Sequence, residues 1–92
     1  METLVFEAVL LRQSRGYSAL CLDVDVATQA PTRRLAKRRL AEAVQGYVET
    51  ALASNLPVLR PVPASENPLV QTPQDVAERF ALRVNLSVNV HA

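Results

Sequence analysis

The stretch Phe80–Val90, FALRVNLSVNV, carries the clearest structural signal in the chain, because apolar and polar residues alternate strictly along it. Successive side chains of a β-strand point to opposite faces, so the pattern predicts a strand with one buried and one solvated face. An edge of this length would invite aggregation if it stayed open, so part of it is expected to pair with another subunit. The residues predicted to form this oligomer edge are Leu82, Val84, Leu86 and Val88.

Apolar segments near the start of the chain predict an antiparallel hairpin. Leu4–Arg12 is apolar on both faces, which is typical of a strand covered on both sides or lying in an oligomer interface. Residues 13–16, QSRG, predict a turn in which Gly16 adopts a positive φ, and Tyr17–Leu22 resumes the strand pattern. Val26–Gln29 is then a short third strand or an extended arm.

The middle of the chain predicts one long amphipathic helix. Thr32 suits an N-cap, and apolar residues then recur at i, i+3, i+4 and i+7 across Arg33–Ala53. At 1.5 Å per residue this helix is ~30 Å long, and its apolar stripe should cover one face of the sheet. Residues 54–79 are rich in proline and predict an extended crossing, followed by a short helix that begins after Thr72 and ends near Glu78.

These elements predict an α+β fold in which one long helix packs on an antiparallel sheet of three to four strands. The 92 residues form a single domain. Residues 1–53 are its core ββ(β)α unit, 54–79 the crossing with the short helix, and 80–90 a long C-terminal strand. A chain this short builds a modest core, and we therefore expect a homo-oligomer, either a dimer or a tetramer.

Charge and cysteine content exclude several classes of function. A net charge of +1 gives no global attraction to nucleic acid or to an anionic membrane. The single cysteine, Cys21, excludes an intramolecular disulfide and a multi-cysteine zinc site. No apolar run approaches the roughly 20 residues that span a bilayer, so the expected location is the cytoplasm. The sequence predicts no cofactor.

Candidate catalytic groups are sparse. Asp23 and Asp25 are the only close pair of carboxylates, and a two-metal nuclease would need them to converge with further acids, of which Glu7 is the one candidate. A turn or strand end is the favoured interpretation of the pair. Cys21 is interpreted as a small core residue, and His91 lacks a second ligand for a metal. We therefore predict no catalytic residues, no metal ligands and no enzyme activity.

Five of the ten basic residues cluster at the start of the helix. They are Arg33, Arg34, Lys37, Arg38 and Arg39. Positive charge near a helix N-terminus is unfavourable by roughly 0.3 kcal/mol for each residue, which favours a use such as docking an acidic partner or phosphates. The alternative is a solvated helix face with Glu42 at helical spacing from the arginines. Aromatic residues, on which nucleic-acid bases stack, do not interleave with this cluster.

Residues 16–29, GYSALCLDVDVATQ, resemble the Gly-Tyr hairpin of HicB-like antitoxins, in which a short turn leads into the helix. Thr32 lies where that family has its helix-capping threonine. Further positions resemble the family's helix, namely Ala36, Leu40, Glu42, Ala43, Val44, Tyr47 and Glu49. The similarity covers roughly the first 50 residues.

The resemblance implies an antitoxin. HicB proteins bind and neutralise HicA, a small RNA-cleaving toxin, and the implied fold is a partial RNase H-like sheet with one helix. The sheet and its hairpin would be the surface that docks the toxin. Many members carry a C-terminal DNA-binding domain, but the residues after Pro68 predict neither a helix-turn-helix nor a ribbon-helix-helix, so DNA binding is not expected. The family's helix is usually acidic where this chain has the basic range Arg33–Arg39.

Several functions therefore stay open at the level of sequence. The leading hypothesis is a non-enzymatic protein–protein interaction module that resembles a HicB antitoxin and has a HicA-like toxin as its partner. One alternative is a nucleic-acid-binding domain that uses Arg33–Arg39, and another is an orphan domain that assembles with itself and has no toxin partner. A degenerate nuclease built on Asp23, Asp25 and Glu7 is the least favoured hypothesis.

Overall fold

A computed structural model describes residues 2–86, which form a four-stranded antiparallel sheet with one long helix on it. The strands lie in the order β3-β2-β1-β4. They are β1 (Glu2–Arg12), β2 (Tyr17–Cys21), β3 (Val26–Ala30) and β4 (Val76–Leu86). The helices are α1 (Arg33–Ala53) and α2 (Pro68–Gln71), with 3-10 turns at Ala64–Glu66 and Pro73–Asp75. The α+β class and the antiparallel sheet under one long helix are thus confirmed.

The hairpin between β1 and β2 turns through Gly16, which has a φ of 90°. The N–H of Gln13 donates to the carbonyl oxygen of Gly16 at 3.1 Å and closes the turn. A Cβ on Gly16 would lie 2.4 Å from the carbonyl oxygen of Ala30, so a side chain is excluded both by the backbone conformation and by the space available. The positive φ predicted for this glycine is confirmed.

Both ends of α1 are fixed by local hydrogen bonds. The Oγ1 of Thr32 accepts from the N–H of Leu35 at 3.2 Å, which confirms the predicted N-cap. At the other end Asn55 has a φ of 54°, and the N–H of Leu56 donates to the carbonyl oxygen of Ala51 at 2.8 Å. This is the six-to-one bond of a Schellman motif, and it reverses the chain after the helix. No helix within residues 2–86 is long and apolar enough to cross a membrane.

The main core lies between α1 and one face of the sheet. The helix contributes Ala36, Leu40, Val44 and Val48, each of which is completely buried. The sheet contributes Phe6, Ala8, Leu10, Ala19, Cys21, Leu82 and Val84. Small and β-branched residues dominate this set, and Phe6 is its one aromatic member. Cys21 is one of these core residues, as the sequence predicted.

The crossing between α1 and β4 is more structured than an extended chain. The N–H groups of Arg60 and Val62 donate to the carbonyl oxygens of Asp23 and Leu22, at 2.9 and 2.8 Å. These bonds hold the start of the crossing against the turn that follows β2. Two 3-10 turns and α2 then lead the chain back to the sheet, and Asn67 caps α2 through its side chain.

The predicted helix from Thr72 to Glu78 is wrong beyond Asp75. The 3-10 turn Pro73–Asp75 ends there, and β4 begins at Val76 rather than at Phe80. Pairing with β1 determines this start, because residues 76–80 lie opposite residues 8–11 of β1 across a register shift between Leu10 and Leu11. From position 80 onward the alternation is as predicted: Leu82 and Val84 are buried, and the side chains between them are exposed. The rest of the predicted strand, including Val88, lies outside the described residues.

We expect the two glycines of the chain to respond to alanine in opposite directions. Gly16→Ala should lower the free energy of unfolding by about 1–3 kcal/mol, because alanine there takes a strained φ and meets the backbone at Ala30. Gly46→Ala should raise the free energy of unfolding by about 0.5–1 kcal/mol. A Cβ added at Gly46 meets no atom within 4 Å apart from its own helix backbone, and alanine favours a helix interior more than glycine does. Urea denaturation of both variants measures the difference. Equal effects would contradict the turn geometry described here.

Candidate functional site

The sheet has two edges of unequal length. β3 is five residues long, whereas β4 is eleven residues long. β4 pairs with β1 from Val76 to Leu86, and within residues 2–86 no strand lies along its other side. A long unpaired edge exposes a row of backbone donors and acceptors that another chain can use. The outer edge of β4 is therefore the most extensive open hydrogen-bonding surface in the described part of the chain.

The hydrogen bonds of Glu7 on β1 identify which residues of β4 direct their N–H and C=O groups to this open edge. Its carbonyl oxygen accepts from Leu22 at 2.8 Å and its N–H donates to the Oδ2 of Asp23 at 2.7 Å, so both groups point away from β4. Ala81 lies opposite Glu7, and its N–H and C=O consequently point away from β1. The backbone direction alternates along an antiparallel strand. The outward-facing residues are then Arg79, Ala81, Arg83 and Asn85.

Two of the residues predicted to form the oligomer edge, Leu82 and Val84, contribute their side chains to the core. Leu82 and Val84 are 4% and 1% exposed and lie on the face that α1 covers. Leu86 pairs with Glu2 at the end of the described strand, and Val88 lies beyond it. What β4 offers to a partner is thus its backbone, together with the half-buried ring of Phe80.

The far halves of β1 and β4 form a two-stranded arm. β2 pairs only with Ala8–Arg12, so the first half of β1 has β4 as its one partner strand within residues 2–86. The fold is accordingly elongated, with principal extents of 49 × 26 × 17 Å. A two-stranded ribbon is marginally stable by itself in water, because each strand has only one neighbour. The arm is the part of the sheet that would gain most from a further strand.

The basic cluster at the start of α1 does not form one face. Arg33 stacks on the ring of Tyr17 with its guanidinium carbon 5.2 Å from the ring centre, and contact with Tyr17 raises the pKa of Arg33 further. Lys37 reaches β4, where it forms an ion pair with Glu78 and lies 4.8 Å from the ring centre of Phe80. Both side chains therefore have contacts within the domain.

The remaining three basic residues of the cluster point elsewhere. Arg39 donates to the carbonyl oxygen of Gln29 on β3 at 2.8 Å, and Arg38 lies 3.4 Å from Glu42 one turn along the helix. Arg34 is exposed. Residues at these helical positions are separated by about 100° per residue, so the five cations are distributed around the helix. The structure thus divides a cluster that the sequence presents as a single run.

A shallow cleft of about 650 Å³ lies between the β1–β2 turn and the start of α1. Arg15 from the turn and Arg39 from α1 line it, together with Gly16, Tyr17 and Gln29. Its lining contains two arginines and no acidic residue, so the cleft suits an acidic group of a partner. The sequence pointed to Arg39 but missed Arg15, because 24 residues separate the two arginines and only the hairpin brings the turn to the helix.

Two of the three carboxylates proposed for a nuclease, those of Asp23 and Glu7, have partners within the domain. Asp23 accepts from the backbone N–H of Glu7, and Asp25 adopts a φ of 49° in the turn that follows β2. Glu7 forms an ion pair with Arg79 across the solvent-exposed side of the sheet. Within residues 2–86 no three His, Cys, Asp or Glu side chains lie close enough together to hold a metal ion. The arrangement supports the interpretation of Asp23 and Asp25 as turn residues, and His91 lies outside the described range.

An exposed apolar cluster marks the end of α1 and the start of the crossing. Leu52, Leu56 and Leu59 are 52%, 58% and 64% exposed. This exposure could not be predicted from the sequence, because Leu52 belongs to the helix and the other two leucines follow it in a proline-rich segment. Val58, which lies between them, packs against the core instead.

No protein-family model matches the chain, and neither a curated protein nor a solved structure does so.

We expect Cys21 to be unreactive in the folded protein. Burial raises the pKa of its thiol above the ordinary value, although hydrogen bonds from the backbone of Asp23 and Val24 oppose part of this effect. Since the thiolate is the nucleophile, alkylation at pH 8 should be at least about tenfold slower in the native state than in urea. Reaction at the same rate in both states would contradict the burial of Cys21.

The raised pKa also predicts how stability depends on pH. The folded thiol keeps its proton to a higher pH than the unfolded thiol, whose pKa is about 8.5. Its contribution to stability is therefore complete below that pH and is lost as the pH rises through the folded pKa. Between pH 8 and 10, wild type should lose more unfolding free energy than Cys21→Ala, which lacks the thiol. Parallel losses in the two proteins would show that Cys21 does not contribute.

Proposed function

We propose that this chain is a non-enzymatic protein–protein interaction module of the HicB antitoxin kind, whose partner is a HicA-like RNA-cleaving toxin. The open edge of β4 is the observation that carries the interaction function. A folded protein rarely leaves an edge of eleven residues uncovered, because such an edge recruits other chains. A chain with this edge therefore functions with another chain bound.

The antitoxin identity is supported by the agreement between the fold and the resemblance. The family pattern over residues 16–29 falls on β2 and β3, and the helix positions that resemble the family fall on α1. The sheet order places β2 and β3 on the side of the sheet away from β4, and the cleft lies beside the start of β2 and the end of β3. The module accordingly has two separate surfaces, the open edge of β4 and the hairpin with its cleft.

The cleft at the hairpin is the surface proposed to dock the toxin. Arg15 and Arg39 give it positive charge, and Gly16 and Tyr17 give it a rigid floor, because Gly16 lies against the backbone of Ala30. A complementary partner surface carries acidic groups there, and charge complementarity of this kind increases both the association rate and the specificity.

Nucleic-acid binding through Arg33–Arg39 is supported less well by this geometry. A basic surface that follows a phosphate backbone needs cations side by side, whereas here two of the five lie over aromatic rings and the others diverge. The rings of Tyr17 and Phe80 are covered by those cations and do not form an open platform for bases.

The proposal is tested with the small protein encoded by the gene next to this one, since toxin and antitoxin genes lie side by side. The two proteins are co-expressed, and RNA cleavage and the mass of the purified complex are measured. We expect a stable heteromeric complex in which RNA cleavage by the toxin is suppressed. Undiminished cleavage in the presence of an excess of this chain would overturn the antitoxin function.

Two charge reversals locate the docking surface. Arg15→Glu places a negative charge in the cleft and should weaken the complex at least about tenfold, as loss of a complementary interfacial charge does. Glu49→Lys is the matched control, because Glu49 is also exposed but lies in the second half of α1. Its affinity for the toxin should equal that of wild type. If the two variants weaken the complex equally, the hairpin cleft is not the docking site.

A further inference from the structure

We infer that the occupant of the β4 edge is a second copy of this chain, bound antiparallel through its own β4, with the two-fold axis at Leu82. This inference rests on the interaction function proposed above, because it names the partner of one of its two surfaces. The observations that carry it are the direction of the backbone groups along β4, the distribution of charge on its solvent-exposed side and the two-stranded arm.

The backbone directions limit the registers in which β4 can pair with itself. The outward-facing groups belong to odd-numbered residues, Arg79, Ala81, Arg83 and Asn85, and each must lie opposite an outward-facing residue of the second copy. The sum of two paired residue numbers is therefore even, so the two-fold axis passes through a residue and not between two residues. The registers that cover most of the regular strand have their axis at position 80, 81 or 82.

Charge disfavours the register centred on Ala81. It would place Arg79 opposite Arg83 of the second copy, and it would do so twice because of the symmetry. Like charges directly opposite each other on neighbouring strands are destabilising. A centre at Leu82 instead places Arg79 opposite Asn85 and Ala81 opposite Arg83. No two like charges then face each other along the described part of the interface.

The choice between positions 80 and 82 follows from the irregular start of β4. A centre at Phe80 pairs Ala77 with Arg83, yet Ala77 lies next to the register shift in the ladder with β1. A centre at Leu82 uses residues 78–86, where the ladder is regular, and places Phe80 opposite Val84 of the second copy.

The Leu82 register also covers the arm. Residues 82–86 of one copy, which belong to the two-stranded part of the sheet, lie beside residues 78–82 of the other copy. Those residues are anchored in its body by β1 and by the Lys37–Glu78 ion pair. In the arm, β4 thereby gains the second copy's β4 as a neighbour on its outer side. The arm is then no longer an isolated two-stranded ribbon, which would be only marginally stable.

The resulting sheet has eight strands and keeps both helices on one side, because a two-fold axis perpendicular to a sheet does not exchange its faces. The Leu82 residues of the two copies lie opposite each other at the axis. The half-buried ring of Phe80 in each copy is covered on its exposed side by Val84 of the other copy. The two cores become continuous across the interface, which is how a chain of this size increases its buried apolar area.

A proline substitution at Ala81 tests the inference. The N–H of Ala81 points outward, so Ala81→Pro removes a bond to the second copy without removing one to β1. Ala27→Pro is the matched control, because Ala27 is an exposed alanine on the opposite edge strand. Leu20, which lies opposite Ala27, directs its N–H and C=O to β1, so the N–H of Ala27 also points outward. By light scattering at micromolar concentrations, wild type and Ala27→Pro should be dimers. Ala81→Pro should be monomeric, with a dissociation constant at least about tenfold higher. A monomeric wild type, or a dimeric Ala81→Pro protein that is folded by circular dichroism, would overturn the inference.

Disulfide formation tests the register and does not depend on the proline variant folding. Ala81→Cys and Arg83→Cys proteins are oxidised separately and then as a mixture. A centre at Leu82 predicts a crosslinked dimer in the mixture and little in either protein alone, because positions 81 and 83 are opposite each other. Cys21 is buried and should not interfere. Crosslinking of Ala81→Cys with itself would place the axis at Ala81 and refute the proposed register.

The same measurements separate this inference from the antitoxin function. A dimer that forms through β4 but leaves the toxin active supports the inference and refutes the proposed function. A monomer that neutralises the toxin does the opposite.

Discussion

The antiparallel pairing of β1 with β4 holds the first and last described strands together and organises the other elements around them. It joins residues 2–11 to residues 76–86 and so closes almost the whole chain into one sheet. Because β1 is thereby paired on both sides over Ala8–Leu11, it becomes an interior strand of the sheet. The same pairing requires the chain to return from the end of α1 to the start of β4. The Schellman motif at Asn55 and the two bonds to Leu22 and Asp23 direct that return.

The helix depends on this sheet more than on its own sequence. Its first turns carry five cations at the unfavourable end of the helix dipole, and Gly46 weakens its middle. Packing of the apolar stripe against all four strands of the sheet offsets both effects, as do the contacts of Arg33 with Tyr17 and of Lys37 with Glu78. The basic residues are thus partly structural: they connect α1 to the hairpin on one side and to β4 on the other.

Local sequence patterns predicted the helix and the strands. Features that depend on pairing between distant segments, such as the start of β4 and the residues that line the cleft, could not be predicted. The bounds of α1 and its Thr32 cap could be read from helical spacing and capping chemistry. The start of β4 could not, because Val76–Arg79 does not alternate and a proline precedes it closely, so the pairing with β1 alone makes those residues a strand. The division of the basic cluster and the meeting of Arg15 with Arg39 likewise depend on where the hairpin places Tyr17 and Gln29. The length of the strand predicted from the alternating pattern already indicated an open edge. That the N–H and C=O of Ala81 point to this edge follows only from the hydrogen bonds of Glu7, which the sequence does not reveal.

The two edges of the sheet differ in a way that favours a closed dimer over an open polymer. A polymer would need the outer edge of β3 to pair as readily as that of β4. β3 is less than half as long, and the guanidinium of Arg39 already occupies the outward carbonyl of Gln29. On β4, Arg79 and Arg83 lie on one face, so stacking identical strands in parallel register would set each arginine against its copy. The antiparallel arrangement about a two-fold axis avoids this repulsion and uses the edge completely, since each copy presents the same strand to the other. An interface of this kind closes after two chains and leaves the hairpin cleft, on the far side of each sheet, free for a different partner.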